Sequence, residues 1–145
     1  MLSRDFKEFV ALPRSTTTEY LAVGGYVMAL HGRPRHTGDL DIRIRRSPAN
    51  TQRLMVVLRE FGFGDVGLSQ RDFELPRNVV QLGYPPFRID LLTDIDGVEF
   101  DAAWSNRETT THDGLAIHFV ALADLKANKR ASGRPRDIDD LEQLP

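Results

Sequence analysis

The sequence predicts an α+β domain: strands and helices mixed along one chain, with a short helical segment at the C-terminal end. Two observations carry most of this. Two stretches, Gly38 to Arg45 and Phe87 to Leu92, alternate polar and apolar residues as half-buried strands do. Other stretches space their apolar residues at helical intervals, as in Leu54, Val57, Leu58 and Phe61 or in Ile138, Leu141 and Leu144. Glycine and proline punctuate the boundaries between the two patterns.

At 145 residues the chain has the length of a single domain. Hydrophobic residues make up 41% and charged residues 28%, a globular balance, and the formal charge of −2 gives no bulk attraction to nucleic acid. There is no cysteine, which excludes disulfides and thiolate metal sites and accords with a cytoplasmic setting. Arg4, Asp5, Lys7 and Glu8 stand where the apolar run of a secretion signal would begin, so none is expected. No apolar run reaches the length of a membrane span.

In chain order, Ser3 opens a helix over 3–12, with Phe6, Phe9, Val10 and Leu12 at helical spacing, and Pro13 ends it. Ser15 to Thr18 is a connector. Tyr20 to Val23 reads as a short buried strand, Gly24-Gly25 as a break, and Tyr26 to His31 as a helix stopped by Gly32 and Pro34. A loop through Arg33, Arg35, His36 and Thr37 leads into the strand Asp39-Leu40-Asp41-Ile42-Arg43-Ile44. Ser47 and Pro48 then open a helix as N-cap and first residue, closed by Gly62. Gly64 to Glu74 is loop-like with a short strand near Phe73. Val79 to Gly83 and Phe87 to Leu92 are strands on either side of Tyr84-Pro85-Pro86. Asp94 to Gly97 is a turn, and Val98 to Trp104 a short helix. Arg107 to Thr111 and Leu115 to Val120 form a hairpin through His112-Asp113-Gly114. Two helices follow: Ala121 to Arg130, with Lys126, Lys129 and Arg130 exposed, and Pro135 to Leu144, with Ile138, Leu141 and Leu144 on one face and Asp137, Asp139, Asp140 and Glu142 elsewhere.

The chemistry of the chain concentrates on Asp39 and Asp41, which share the polar face of their strand about 6–7 Å apart along the backbone. Carboxylates so placed repel unless they are solvated, protonated or bridged by a cation, and magnesium or manganese suits such oxygen donors. Taken alone, the pair reads as a wet acidic edge rather than a metal site. Asp90, which shares a face with Arg88, adds a third carboxylate if its strand lies beside the first. Gly24-Gly25 is either an ordinary tight turn or a place where the backbone closes on a phosphate. Arg33 and Arg35 either bind phosphate or balance charge, and His31 ends its helix.

Val23-Gly24-Gly25, a spacing of 13 residues, Asp39-Leu40-Asp41-Ile42 and then Asp90 within Arg88-Ile89-Asp90-Leu91-Leu92 together resemble the signature of the nucleotidyltransferase superfamily that includes DNA polymerase beta. Met28 to Gly32, Arg35, Thr37 and the tail from Leu122 to Leu141 are similar to the minimal nucleotidyltransferases and AbiEii-like toxins within it. The resemblance spans residues 20–144. It implies a nucleotidyltransferase fold, a small mixed sheet flanked by helices, in one domain over 1–145, with a core of about 1–105 and a C-terminal hairpin and helices over about 106–145.

By that resemblance Asp39, Asp41 and Asp90 are catalytic and hold Mg2+ or Mn2+. Gly24, Gly25, Arg35, Thr37 and Lys126 contact the nucleotide, Lys126 having the alternative of pairing with Asp137 or Asp140. The implied reaction moves a nucleoside monophosphate from a nucleoside triphosphate to a hydroxyl of RNA, protein or a small molecule, in a toxin–antitoxin pair or elsewhere. The chain has little beyond the core, so a partner protein or a homodimer is expected to complete the acceptor site. The contrasting expectation is a catalytically silent member that binds a nucleotide or a partner, and a third is a metal-dependent nuclease.

Overall fold

The computed structural model describes residues 11, 17–32, 39–63, 67–84, 87–112 and 114–145. The expected helix over 3–12 and the loop residues Arg33, Arg35, His36 and Thr37 lie outside them. The described strands are β1 (Tyr20–Val23), β2 (Asp39–Ile44), β3 (Val79–Tyr84), β4 (Phe87–Leu92), β5 (Glu108–His112) and β6 (Leu115–Phe119). The helices are α1 (Gly25–Leu30), α2 (Pro48–Glu60), α3 (Phe100–Ser105), α4 (Leu122–Ser132) and α5 (Pro135–Gln143).

The strands form one mixed sheet in the order β3-β4-β2-β1-β6-β5. The pairs β2/β4 and β1/β6 are parallel and the others antiparallel. A parallel neighbour needs a long crossover. Between β2 and β4 that crossover contains α2, a 3-10 turn and β3. The apolar row of β2, Leu40, Ile42 and Ile44, is sealed from solvent together with Leu54, Val57 and Leu58 of α2 and Ile89 and Leu91 of β4. These contacts fix the register of β2, because a slip of one residue would turn that row to the other face.

The start of α2 locks β1 to β2, the strand that carries Asp39 and Asp41. Ser47 accepts a hydrogen bond from the Asn50 amide at 3.3 Å, the cap expected from the sequence. Asn50 is fully buried and uses both ends of its amide. Its Oδ1 accepts from the Glu19 amide at 2.6 Å, and its Nδ2 donates to the carbonyls of Glu19 at 3.0 Å and Arg45 at 2.9 Å. One side chain thus ties the entry to β1 and the exit from β2.

Four local expectations are corrected. The segment at Phe73 is a 3-10 helix over Gln70–Phe73 that plugs the aromatic ring into the core, and not a strand. Residue 98 closes a small bridge with Ile95, and the helix starts two residues later, at Phe100. On α5 the predicted apolar face is only partly used: Leu144 is buried, but Ile138 is 51% exposed, and Asp137 and Asp140 are buried in its place. The reason lies on α4, where Lys129 is only 7% exposed, against the expectation of a solvated lysine. Its ammonium donates to Asp140 at 2.8 Å and to Asp137 at 3.5 Å. The two helices are therefore joined by a buried ion cluster as well as by apolar packing.

Removing one partner from such a cluster leaves a charge buried and uncompensated, which costs about 3–5 kcal/mol. Lys129→Met is expected to lower unfolding stability by that order in urea denaturation followed by circular dichroism. A loss below about 1 kcal/mol, the scale of an exposed pair, would show that the aspartates do not depend on Lys129.

Candidate active site

The parallel register of β2 and β4 assembles the site. Asp41 lies opposite Asp90, and Asp39 opposite Arg88. Because side chains alternate between faces along a strand, all four share one face. On its other side Asp41 pairs with Val23, so the chain leaves β1 beside that carboxylate. The next residue, Gly24, caps α1 with φ 75 and ψ −152, a conformation open only to glycine. It also lies so close that a Cβ there would strike Asp41 Oδ2 and sit 3.1 Å from its Cγ. Gly24 is thus required by both its dihedrals and its contact with the acidic strand.

Arg88 is the cation of the cluster. Its Nε donates to Asp90 Oδ1 at 3.0 Å, and its Nη2 donates to Asp90 Oδ2 and to Asp39 Oδ2, both at 3.2 Å. These carboxylates hold the guanidinium pKa above its ordinary value. Asp41 is on the other side of the balance. Burial first, then the charges of Asp90 and Asp39, push its carboxyl up to about 6, with Arg88 only partly offsetting them.

Among the described residues, the cluster of Asp39, Asp41, Asp90 and Arg88 therefore sets three carboxylates against one guanidinium. Its donors are all hard carboxylate oxygens, the type that suits Mg2+ or Mn2+. Among the described residues, no three such groups are drawn together as a ready ligand set, and Arg88 holds two of the three. The donor chemistry fits the ion, while the present side-chain positions are those of a cluster organised by Arg88.

The opposite wall comes from the C-terminal helices. A cleft of about 1090 Å³ lies between the acidic face and residues Asn128, Lys129, Ser132, Arg134, Arg136 and Asp137. The turn after β4 closes one end. Gly97 (φ 74) lies against α4, where a Cβ would come within 2.6 Å of Ala131 Cβ, and Asn128 Nδ2 donates to the Asp96 carbonyl at 3.0 Å. Arg134 stands at the start of α5, with its Nε on Asp137 Oδ2 at 2.7 Å, while its side chain remains 75% exposed. Burial alone would raise the Asp137 pKa. The hydrogen bonds and charge of Arg134, with the charge of Lys129, override this and hold it below the usual carboxylate range.

Arg43, on the same face of β2, is 3% exposed and is held by the Val98 carbonyl at 2.5 Å and by Asp94 at 3.8 Å. Burial pulls its pKa down, and the charges of Asp94 and Glu99 partly restore it. Asp94 also pairs with Arg46 at 3.5 Å and accepts from the Arg77 amide at 2.8 Å. It is committed to structure, in keeping with the turn read from the sequence.

Of the residues expected at the site, Gly24, Gly25, Asp39, Asp41 and Asp90 line this cleft. Arg35 and Thr37 lie outside the described residues. Lys126 is not among the residues lining the cleft, and its ammonium donates to the Pro145 carbonyl at 2.7 Å. The lysine that faces the cleft and pairs with Asp137 and Asp140 is Lys129, three residues later. Arg43, Arg77, Lys129, Arg134 and Arg136 also line it without having been singled out by sequence. The run Gly133-Arg134-Pro135-Arg136 between two helical patterns was the signal available for the arginines. His31 is structural: its Nε2 lies 3.0 Å from the Val120 carbonyl and its ring packs on Phe119.

A carboxyl whose pKa is raised by folding binds its proton more tightly in the native than in the unfolded state, so stability falls as pH rises between the two values. For Asp41 that window runs from the ordinary 3.8 to about 6. The cost is absent below it and complete above it, reaching at most about 3 kcal/mol. Asp41→Asn is therefore expected to be more stable than the native chain at pH 8, with the advantage shrinking as pH falls towards 4 in metal-free urea denaturation. An advantage that stays the same across that range would contradict the assignment.

The chain is similar in fold to a crystallographically determined protein of Thermotoga maritima that is provisionally assigned as a nucleotidyltransferase. The two superpose with a TM-score of 0.67 over 97% of this chain and 89% of the other, at 13% sequence identity. No family model and no curated protein matches the chain. The fold is thus nucleotidyltransferase-like: a six-stranded mixed sheet flanked by helices, with the three carboxylates on one face.

Proposed function

We propose that the protein transfers a nucleoside monophosphate from a nucleoside triphosphate to a hydroxyl acceptor, with Asp39, Asp41 and Asp90 holding Mg2+ or Mn2+. The observation that carries this reading is the β2–β4 register, which sets Asp41 beside Asp90 in a cleft whose far wall bears Lys129, Arg134 and Arg136. Carboxylates facing cations across a cleft suit a metal–polyphosphate ligand, whose ion and phosphates each need the opposite charge.

When bound, the ion would supply charge neutralisation at the phosphates and make the acceptor hydroxyl more acidic. The chain's own residues account for the rest. Asp39 and Asp41, fixed by the core packing of β2, present their oxygens from a rigid strand. Asp90, on the neighbouring strand, would take the proton of the acceptor hydroxyl. Arg134 and Arg136, on the far wall of the cleft, would bind phosphate oxygens. In the transfer, a bond forms between the acceptor oxygen and the α-phosphorus, the bond from that phosphorus to the β-phosphate oxygen breaks, and pyrophosphate leaves. Gly24 keeps the backbone close to Asp41 without displacing its carboxylate.

The acceptor class is open to a direct screen: the protein, Mg2+ and each α-labelled nucleoside triphosphate, with RNA, the protein itself and small hydroxyl compounds as acceptors. Label transfer with matching pyrophosphate release is the expected result. Absence of both across all acceptors, with no nucleotide binding, would refute the proposal. Asp41→Asn and Asp90→Asn are each expected to lower transfer by about 10²–10³-fold, the scale of losing one preorganised charge contact in an active site. Gly24→Ala is expected to lower it as well, because the new methyl must push Asp41 aside. Full activity in either aspartate variant would remove the proposed roles.

A further inference from the structure

We infer that Arg88 is an internal counter-ion: in the metal-free protein it occupies the cation's place between Asp90 and Asp39, and a divalent ion must displace it to bind. The inference rests on the metal reading of the cleft given above and adds a residue that competes with the ion.

The geometry favours this role. Arg88 sits on β4 directly opposite Asp39 and two residues before Asp90, so its position on the acidic face is set by the strand register. Its guanidinium grips both oxygens of Asp90 and one of Asp39, the bidentate geometry in which arginine binds carboxylates most specifically. Those oxygens are the ones a hard divalent ion would need. They are also spread around a flat, forked group, which accounts for the lack of a ready three-ligand set among the described residues. The Arg88 side chain is 30% exposed and borders the cleft, so it has room to turn away once the carboxylates are taken. A surface ion pair made only for stability would have no need to sit on two carboxylates at the floor of a cleft.

A competitor and a supporting residue predict opposite signs. Arg88→Gln and Arg88→Lys are compared with the native chain in titrations with Mn2+ alone by calorimetry, with melting curves in EDTA and in saturating Mn2+. As a competitor, Arg88 gives Arg88→Gln a lower melting temperature in EDTA, about tenfold tighter Mn2+ binding and a larger rise in melting temperature with Mn2+. Tenfold is the scale on which neighbours of metal ligands move affinity. Arg88→Lys, which keeps a charge without the fork, falls between, and it carries the test if the glutamine variant does not fold. Equal or weaker Mn2+ binding in both variants overturns the inference and leaves the metal reading intact. If no form of the protein binds Mn2+, even with tripolyphosphate present, the metal reading fails and the inference with it.

Discussion

Everything at the candidate site depends on the pairing of β2 with β4. That pairing places Asp41 next to Asp90 and Asp39 next to Arg88, and it does so deep in the sheet, where a strand cannot slide without exposing Leu40, Ile42 and Ile44. Apolar packing on one face thus forces like charges together on the other. The resulting repulsion is not relieved by solvent, since Asp41 is largely covered; that burial first, and the repulsion after it, raises the pKa of the carboxyl. A stable fold holding an electrostatically unfavourable cluster is characteristic of functional sites, where stability is given up for a poised arrangement.

The second wall of the cleft is held by different means. Lys129, Asp137 and Asp140 join α4 to α5 through buried charge, and Gly97 lets the turn after β4 lie directly on α4. These contacts set the distance between the carboxylate face and the arginines at the start of α5. Arg134 belongs to both systems: it holds Asp137 in place and feels the charge of Asp96 and Asp41 across the cleft. The ion cluster between the helices is therefore part of the site's architecture as well as of its stability.

Most of the fold could be read from the sequence because its elements follow simple periods. The alternation in β2 and β4, the Ser47–Pro48 start of α2 and the β5/β6 hairpin all appear where the pattern places them. Period alone failed where polar groups were buried in pairs. Asp137 and Asp140 fall off the apolar face of their helix, and Lys129 reads as exposed, because the partner that permits each burial lies on another element. Phe73 was misassigned because one buried aromatic residue in a polar stretch does not distinguish a strand from a single helical turn. At the site, the carboxylates were visible as residues on strand faces. Their mutual pairing was not, since it depends on which strands are neighbours. The same limit hid the role of Arg88 and the exchange of Lys126 for Lys129 on the cleft wall.

If Arg88 fills a cation site of Asp39, Asp41 and Asp90 until the ion arrives, a crystal structure can show the exchange. Crystals grown with Mn2+ and a nucleoside triphosphate analogue that cannot be cleaved at the α-phosphate test it directly, through the anomalous signal of manganese. The expected map has an anomalous peak bound by Asp41 and Asp90, with the Arg88 guanidinium turned away from both Asp90 and Asp39. A map with no peak on this face, and Arg88 still bridging the two carboxylates beside a bound nucleotide, would contradict it.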